Sequence, residues 1–132
     1  SYNMIKETGE FVVNLTTEAL AYATDWCGVK SGRDVDKWKE MKLTPMPSKE
    51  LTYAPIIGES PLSLECKVEK IEELGSHHMF LAKVVNVQVT TDYMDDNGKF
   101  ELNKQGLITY SHGEYISLGE KLGTFGYSVK KG

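Results

Sequence analysis

The side chains best suited to binding an anion lie in one eight-residue stretch, SGRDVDKW at residues 31–38. It contains Arg33, the only arginine in the chain, then Lys37 and Trp38. The Ser-Gly pair that opens the stretch favours a turn with backbone N–H groups left for a ligand, and an arginine offers a planar fork of donors. These groups suit a phosphate. A surface helix with an ordinary cap is the alternative, and the stretch by itself leaves both open.

A second group that could do chemistry is the histidine pair His77 and His78, at the expected start of a strand. A histidine at a pocket mouth can supply a proton or a hydrogen bond, although most strand-end histidines are plain surface residues. Because side chains alternate along a strand, we expect the two to point to opposite sides. His112 is distant in sequence, so the three histidines do not by themselves make a metal site.

Composition limits the class of protein. The 132 residues suffice for a single domain, and 26% charged and 40% apolar residues are ordinary for a globular protein. A formal net charge of -4 without a basic stripe argues against nucleic acid as a partner. There is no apolar run of membrane-spanning length and no signal peptide, so we expect a cytoplasmic protein. Cys27 and Cys66 lack metal-ligand spacing and are predicted to be reduced thiols.

The first part of the chain predicts small helices around one strand. Three helices are expected, at residues 1–9, 17–24 and 32–42, with a strand over 10–16. Gly9 can end the first helix in a left-handed conformation, and Thr17 can cap the second. Asp34 and Asp36 would lie in the first turn of the third, where the helix dipole favours negative charge.

The rest of the chain predicts antiparallel strands. The proline-containing stretch 43–61 is mostly extended loop, and TYAPII is its best short strand. In PLSLECKV, one strand face is predicted to hold Leu62, Leu64, Cys66 and Val68. The strand 78–89 is apolar on both faces in its first half, as if covered by a core and by a partner. DYMDDNGKFELNK at 92–104 fails as a calcium loop, because Tyr93 and Lys104 stand where carboxylates are required. DDNGKF within it predicts a turn with positive φ at Asn97-Gly98, and a last hairpin turns at His112-Gly113. The sum is a mainly β fold, an antiparallel barrel-like core with small peripheral helices.

Four stretches in order resemble the flavin reductase-like family, and within it the flavoredoxin-like branch. They are IKETGEFVVNL, DWCGVKSGRDVDKW, LECKVEKIEELGSHHMFLAKVV and YSHGEYISLGEKLGTFGYSVKK. The family fold is an FMN-binding split barrel, normally a homodimer. Family members usually carry several strands before the segment that matches SYNMIKETG. The resemblance therefore implies that residues 1–132 form one flavin reductase-like domain, corresponding to the C-terminal two-thirds of the usual one.

The resemblance also implies an FMN phosphate site. Ser1 stands where the family has a serine or threonine near the flavin phosphate, and Lys37 matches a lysine that approaches the same phosphate. Ser31, Gly32 and Arg33 lie on the loop that leads to it.

Four further positions match residues that the family places around the flavin ring. Asn14 and Thr16 end a strand at the edge of the flavin, and Tyr110 lies in a hairpin that borders the pocket. His77 matches the histidine near the flavin and the nicotinamide, and is the predicted catalytic residue.

Three functions are therefore open. The first is an NAD(P)H-dependent FMN reductase that passes reducing equivalents to an acceptor. The second is an electron-carrier flavoprotein that docks a redox partner protein and has no nicotinamide site. The third is an inactive chain kept folded by dimerisation. The Rossmann glycine pattern is absent, so the sequence has no nicotinamide fingerprint of its own.

Overall fold

A computed structural model describes residues 2–129, so the predictions for Ser1 lie outside the described residues. The helices are α1 (Tyr2–Thr8), α2 (Ala21–Val29) and α3 (Lys37–Glu40). The strands are β1 (Glu10–Asn14), β2 (Pro45–Met46), β3 (Ile56–Ile57), β4 (Leu62–Glu73), β5 (His78–Val89), β6 (Ile108–Ser111) and β7 (Glu114–Ser117). None of the helices described in this range is long and apolar enough to cross a membrane.

Antiparallel pairing organises the molecule, as predicted. The main sheet has the order β1-β4-β5, and β2 pairs with β3 and β6 with β7. The β4–β5 hairpin is its longest part, with 12 residues in each strand. Its register shifts between Glu65 and Cys66 and again between Val68 and Lys70, as expected of β-bulges. The bulges change which side chains share a face along β4.

Two of the predicted turns are confirmed. The N–H of Gly9 donates to the carbonyl of Ile5 at 2.7 Å, and its φ of 70° ends α1 in the left-handed conformation. His112 and Gly113 have φ values of 48° and 81°, the geometry of a two-residue hairpin.

The turn at residues 95–98 differs from its prediction. Gly98 has a positive φ, but Asn97 does not. The Asp95 carboxylate instead accepts hydrogen bonds from the N–H groups of Asn97 at 2.8 Å and Lys99 at 2.9 Å. A side chain that satisfies two backbone donors removes the need for a second left-handed residue.

The predicted cap of the second helix is wrong, and so is the prediction that Asp34 and Asp36 lie in the first turn of the third helix. Thr17 makes no side-chain cap and forms an isolated bridge with Leu107, because the chain is still extended there. A 3-10 turn at Glu18–Leu20 follows, and α2 runs on to Val29. The third helix is one turn, since Asp36 is its N-cap and accepts from the N–H of Lys39 at 3.3 Å.

Two of the most buried residues of β4 are polar and lie outside the predicted apolar face. Ser63 is 2% exposed and Glu65 is 0% exposed. The Ser63 hydroxyl donates to Asn14 of β1, and the segment at residues 48–54 lies against Glu65. The Glu65 carboxylate accepts from the N–H groups of Lys49 and Glu50 and from the side-chain amides of Asn86 and Gln88, at distances of 2.6 to 3.0 Å. Burial alone would raise the pKa of Glu65, but these hydrogen bonds lower it to about 2.

A second buried carboxylate holds the other end of the same segment. Glu10 accepts from the N–H groups of Thr52 at 3.2 Å and Ala54 at 2.9 Å, and also from Tyr53. Burial raises the pKa of Glu10, but the three N–H donors and the charge of Lys67 bring it below its ordinary value. The segment is thus attached to the sheet through charged hydrogen bonds at both ends, and Leu51 between them is buried.

Candidate functional site

A cleft of about 840 Å³ lies between the start of α1 and the turn that leads into α3. Its lining residues are Asn3, Met4, Ser31, Gly32, Arg33, Asp34, Val35, Asp36, Lys37 and Trp38. The cleft therefore brings together four predicted phosphate-binding residues, Ser31, Gly32, Arg33 and Lys37. The two residues from α1 were not predicted.

The turn at residues 31–34, beside the cleft, is stabilised by two hydrogen bonds to Ser31. The Ser31 hydroxyl accepts from the N–H of Arg33 at 3.2 Å, and the Ser31 carbonyl accepts from the N–H of Asp34, also at 3.2 Å. A Cβ placed on Gly32 would lie 4.0 Å from the Cε of Lys37, so the glycine faces the lysine stem across the turn. The turn thus places the Arg33 guanidinium and the Lys37 ammonium at one cleft.

Lys37 is oriented by the end of α2. Its Nζ donates to the carbonyl oxygen of Cys27 at 2.6 Å. That carbonyl lies in the last turn of the helix, where the helix dipole favours a cation. An ammonium carries three N–H donors, so Lys37 retains donors for an anion in the cleft.

The charges of the cleft decide what it can hold. Arg33 and Lys37 supply two cations, while Asp34 and Asp36 supply two carboxylates. Asp36 already caps α3. The donors on Ser31, Arg33 and Lys37 fit a small anion such as a phosphate, and the Trp38 indole offers an apolar surface beside it.

A smaller cavity of about 230 Å³ holds two other predicted residues, Asn14 and Thr16. The remaining lining residues are Leu15, Leu20, Ala23, Thr24, Cys27, Leu43 and Ile57. The Asn14 side-chain oxygen accepts from the Ile57 N–H at 3.0 Å and from the Ser63 hydroxyl at 2.7 Å. Cys27 lines this cavity while its carbonyl holds Lys37, so α2 connects the cavity to the cleft.

His77 does not line either of these two spaces. It lies in the turn between β4 and β5, where its carbonyl accepts from the N–H of Leu74 at 2.9 Å. Its Nδ1 is 2.9 Å from the Ser76 hydroxyl, and the residue is exposed. Its neighbour His78 begins β5 and stacks on Tyr2 of α1, with ring centroids 3.9 Å apart.

Tyr110 also lies outside both spaces. Its ring meets that of Tyr115 edge-on at 5.1 Å, and the Tyr115 hydroxyl donates to Asp25 of α2 at 3.1 Å. Partial burial and the Asp25 carboxylate raise the pKa of Tyr115. The β6–β7 hairpin is thus attached to α2 through Tyr115 rather than through Tyr110.

The sequence analysis missed Tyr2, His78, Glu10 and Glu65. For Glu65 a signal existed, since it pairs in register with Asn86 on the neighbouring strand and both interrupt apolar runs. Polar residues that face each other between apolar neighbours indicate a buried hydrogen-bonded group.

The structure combines an antiparallel β fold with a cleft at the start of a short helix, where Arg33 and Lys37 offer donors to an anion. The chain belongs to the family described as flavin reductase like domain, whose family model matches residues 1–119. Its structural neighbours are split-barrel proteins of this type, and the predicted fold class is confirmed.

Three similar proteins illustrate the match. Flavoredoxin of Desulfovibrio vulgaris (Miyazaki F) is 29% identical with a TM-score of 0.86, over 98% of this chain and 69% of that one. A protein of Archaeoglobus fulgidus is 32% identical over 114 residues, 86% of this chain and 63% of the relative. The chain thus spans less than two thirds of the length of that relative. An FMN-binding protein from Thermus thermophilus, at 22% identity, shows the same fold with a TM-score of 0.73 over 93% of this chain and 66% of that one.

Proposed function

We propose that this protein binds FMN and acts as a flavin reductase-like oxidoreductase. The observation that carries the proposal is the cleft that gathers Ser31, Gly32, Arg33 and Lys37 in a chain of this family. The FMN-binding neighbour from Thermus thermophilus supports the choice of flavin. A cytoplasmic location remains part of the proposal.

The residues present fit the phosphate end of FMN. Lys37 and Arg33 would hold the phosphate by charge, and the Ser31 hydroxyl would add a hydrogen bond. Bound flavin would supply the redox chemistry, because it accepts and donates electrons or hydride. The chain's own part is to anchor and orient the cofactor. His77, in the exposed β4–β5 turn, would supply a proton or contact the nicotinamide.

Lys37→Ala should raise the dissociation constant of FMN about tenfold. The variant removes one partly exposed charged contact, which is worth about 1–2 kcal/mol. Riboflavin lacks the phosphate, so its affinity should change much less. Flavin fluorescence titration of both ligands measures the two constants.

Lys39→Ala is the matched control for this change. Lys39 lies in the same helix and is exposed, but its side chain does not line the cleft. It should leave both affinities near those of the parent protein. An equal loss of FMN and riboflavin affinity in Lys37→Ala would place Lys37 away from the phosphate.

The alternative function is an electron carrier that exchanges electrons with a redox partner protein and does not use NAD(P)H. The similarity to the Desulfovibrio flavoredoxin supports this alternative. Oxidation of NADH or NADPH in the presence of free FMN separates the two. We expect oxidation that depends on the protein, and a rate equal to that without protein would favour the carrier.

We also expect a homodimer. The strand β5 is at the edge of the main sheet, and large apolar side chains are exposed along it, among them Met79 at 50%, Leu81 at 53% and Val87 at 50%. An exposed apolar edge recruits another chain or aggregates. Sedimentation velocity at micromolar concentration should show a dimer, and a stable monomer would contradict this expectation.

A further inference from the structure

The helix α1 supplies Asn3 and Met4 to the cleft, yet it has little packing of its own. None of its residues is buried, and it joins β1 through the left-handed Gly9. A seven-residue helix is not stable alone in water, so tertiary contacts must fix its position.

Those contacts converge on Tyr2. Its ring stacks on the imidazole of His78 at 3.9 Å with an angle of 22° between the ring planes. Its hydroxyl donates to the Glu73 carboxylate at 3.2 Å. Phe80 lies 6.1 Å from the same ring, and the Lys6 ammonium lies 5.7 Å from its centroid.

Glu73 and His78 are partners in register, the pair that ends the β4–β5 ladder next to its turn. Tyr2 therefore contacts both strands of the hairpin at once. The next two residues of the chain, Asn3 and Met4, line the cleft. The same turn of α1 thus contacts the β4–β5 hairpin through Tyr2 and forms a wall of the cleft through Asn3 and Met4.

We propose that Tyr2 is a positioning residue: held by His78 and Glu73, it fixes α1 against the β4–β5 hairpin and so sets the wall of the cleft formed by Asn3 and Met4. His78 acts through its aromatic ring and not through its proton. The effect on cofactor affinity rests on the proposed function, whereas the fixing of α1 does not.

The test compares His78→Ala with His78→Phe. The alanine variant removes the ring, and the phenylalanine variant keeps an aromatic stack without an imidazole. His78→Ala should speed hydrogen exchange of the α1 amides, including the Gly9 N–H bonded to Ile5, by roughly three- to tenfold. His78→Phe should restore slow exchange. With Trp26→Phe in every variant, Trp38 is the remaining tryptophan, and its fluorescence emission reports on the cleft without any ligand. That emission should change in the alanine variant only.

Titration with FMN and riboflavin completes the test. In His78→Ala the dissociation constant of FMN should rise by a similar three- to tenfold, with a smaller rise for riboflavin. Unchanged α1 exchange, or no rescue by phenylalanine, would overturn the proposal. Faster exchange with unchanged Trp38 emission would also overturn it, because α1 would then move without altering the cleft. If the parent protein does not bind FMN, the proposed function fails, and exchange and Trp38 emission alone decide the positioning role.

Discussion

His77→Ala is expected to lower NAD(P)H-dependent flavin reduction about 100-fold, the scale of removing one acid–base group. The affinity for FMN should change little, because the proposed phosphate ligands lie in the turn at residues 31–37. The structure places His77 in an exposed turn, next to His78, whose ring stacks on Tyr2 of α1. The proposed role of His77 is to contact the nicotinamide or to supply a proton, not to hold the cofactor. Stopped-flow absorbance of the flavin measures the rate.

The control for His77 comes from the other hairpin. His78 is unsuitable, since its ring stacks on α1. His112→Asn removes an imidazole from the β6–β7 turn, and asparagine tolerates the positive φ found there. This variant should reduce flavin at the parent rate. Equal rates for His77→Ala and the parent would leave His77 with a structural role and favour the electron-carrier function.

Glu65→Ala is expected to lower the free energy of unfolding by about 3 kcal/mol, the scale of breaking a buried charged hydrogen-bond network. The change leaves the N–H groups of Lys49 and Glu50 and two side-chain amides without their acceptor. Urea unfolding at pH 7 measures the difference. Glu69→Ala is the matched control, because Glu69 lies on the same strand and is exposed. If Glu65→Ala lowers the free energy of unfolding no more than the control does, the network contributes little to stability.

The hydrogen bonds of Glu65 also make the free energy of unfolding depend on pH. The pKa of Glu65 is about 2 in the folded protein against an ordinary value of 4.5. A lowered pKa means that the folded state favours the carboxylate, so its contribution is full above pH 4.5 and is lost as the pH falls towards 2. Glu65→Gln should flatten the decline of stability between pH 4.5 and 2. An equally steep decline in the variant would assign the acid sensitivity to other groups, such as Glu10.

Local sequence signals predicted the parts of the fold that local chemistry decides. Gly9 ends α1 and His112-Gly113 turns the last hairpin, because a positive φ is needed there and is supplied at those positions. The sequence also predicted that the loop 31–36 and Lys37 form one site, because residues that are adjacent in a short turn must lie close together. The two strands of the long hairpin were predicted from alternation and apolar content, although β4 continues past the predicted stretch to Glu73.

Long-range contacts decided what the sequence did not predict. The alternation in β4 predicted an apolar face without Glu65, but it did not predict that Glu65 is buried by donors from Lys49 and Glu50. Threonine is a favourable N-cap residue, yet the bridge between Thr17 and Leu107, ninety residues away, keeps the backbone of Thr17 extended. Tyr2 and His78 meet only because α1 folds back over the hairpin. No local pattern marks such contacts.

In the proposed function, the cleft between α1 and α3 holds the phosphate of FMN. The most direct test is the chemical shift of each backbone amide during titration with FMN and, in parallel, with riboflavin. We expect the shifts produced by FMN but not by riboflavin to be largest at residues 31–37, with Asn3 and Met4 also affected. Shifts that are the same for both ligands, or that differ most in another part of the chain, would contradict it.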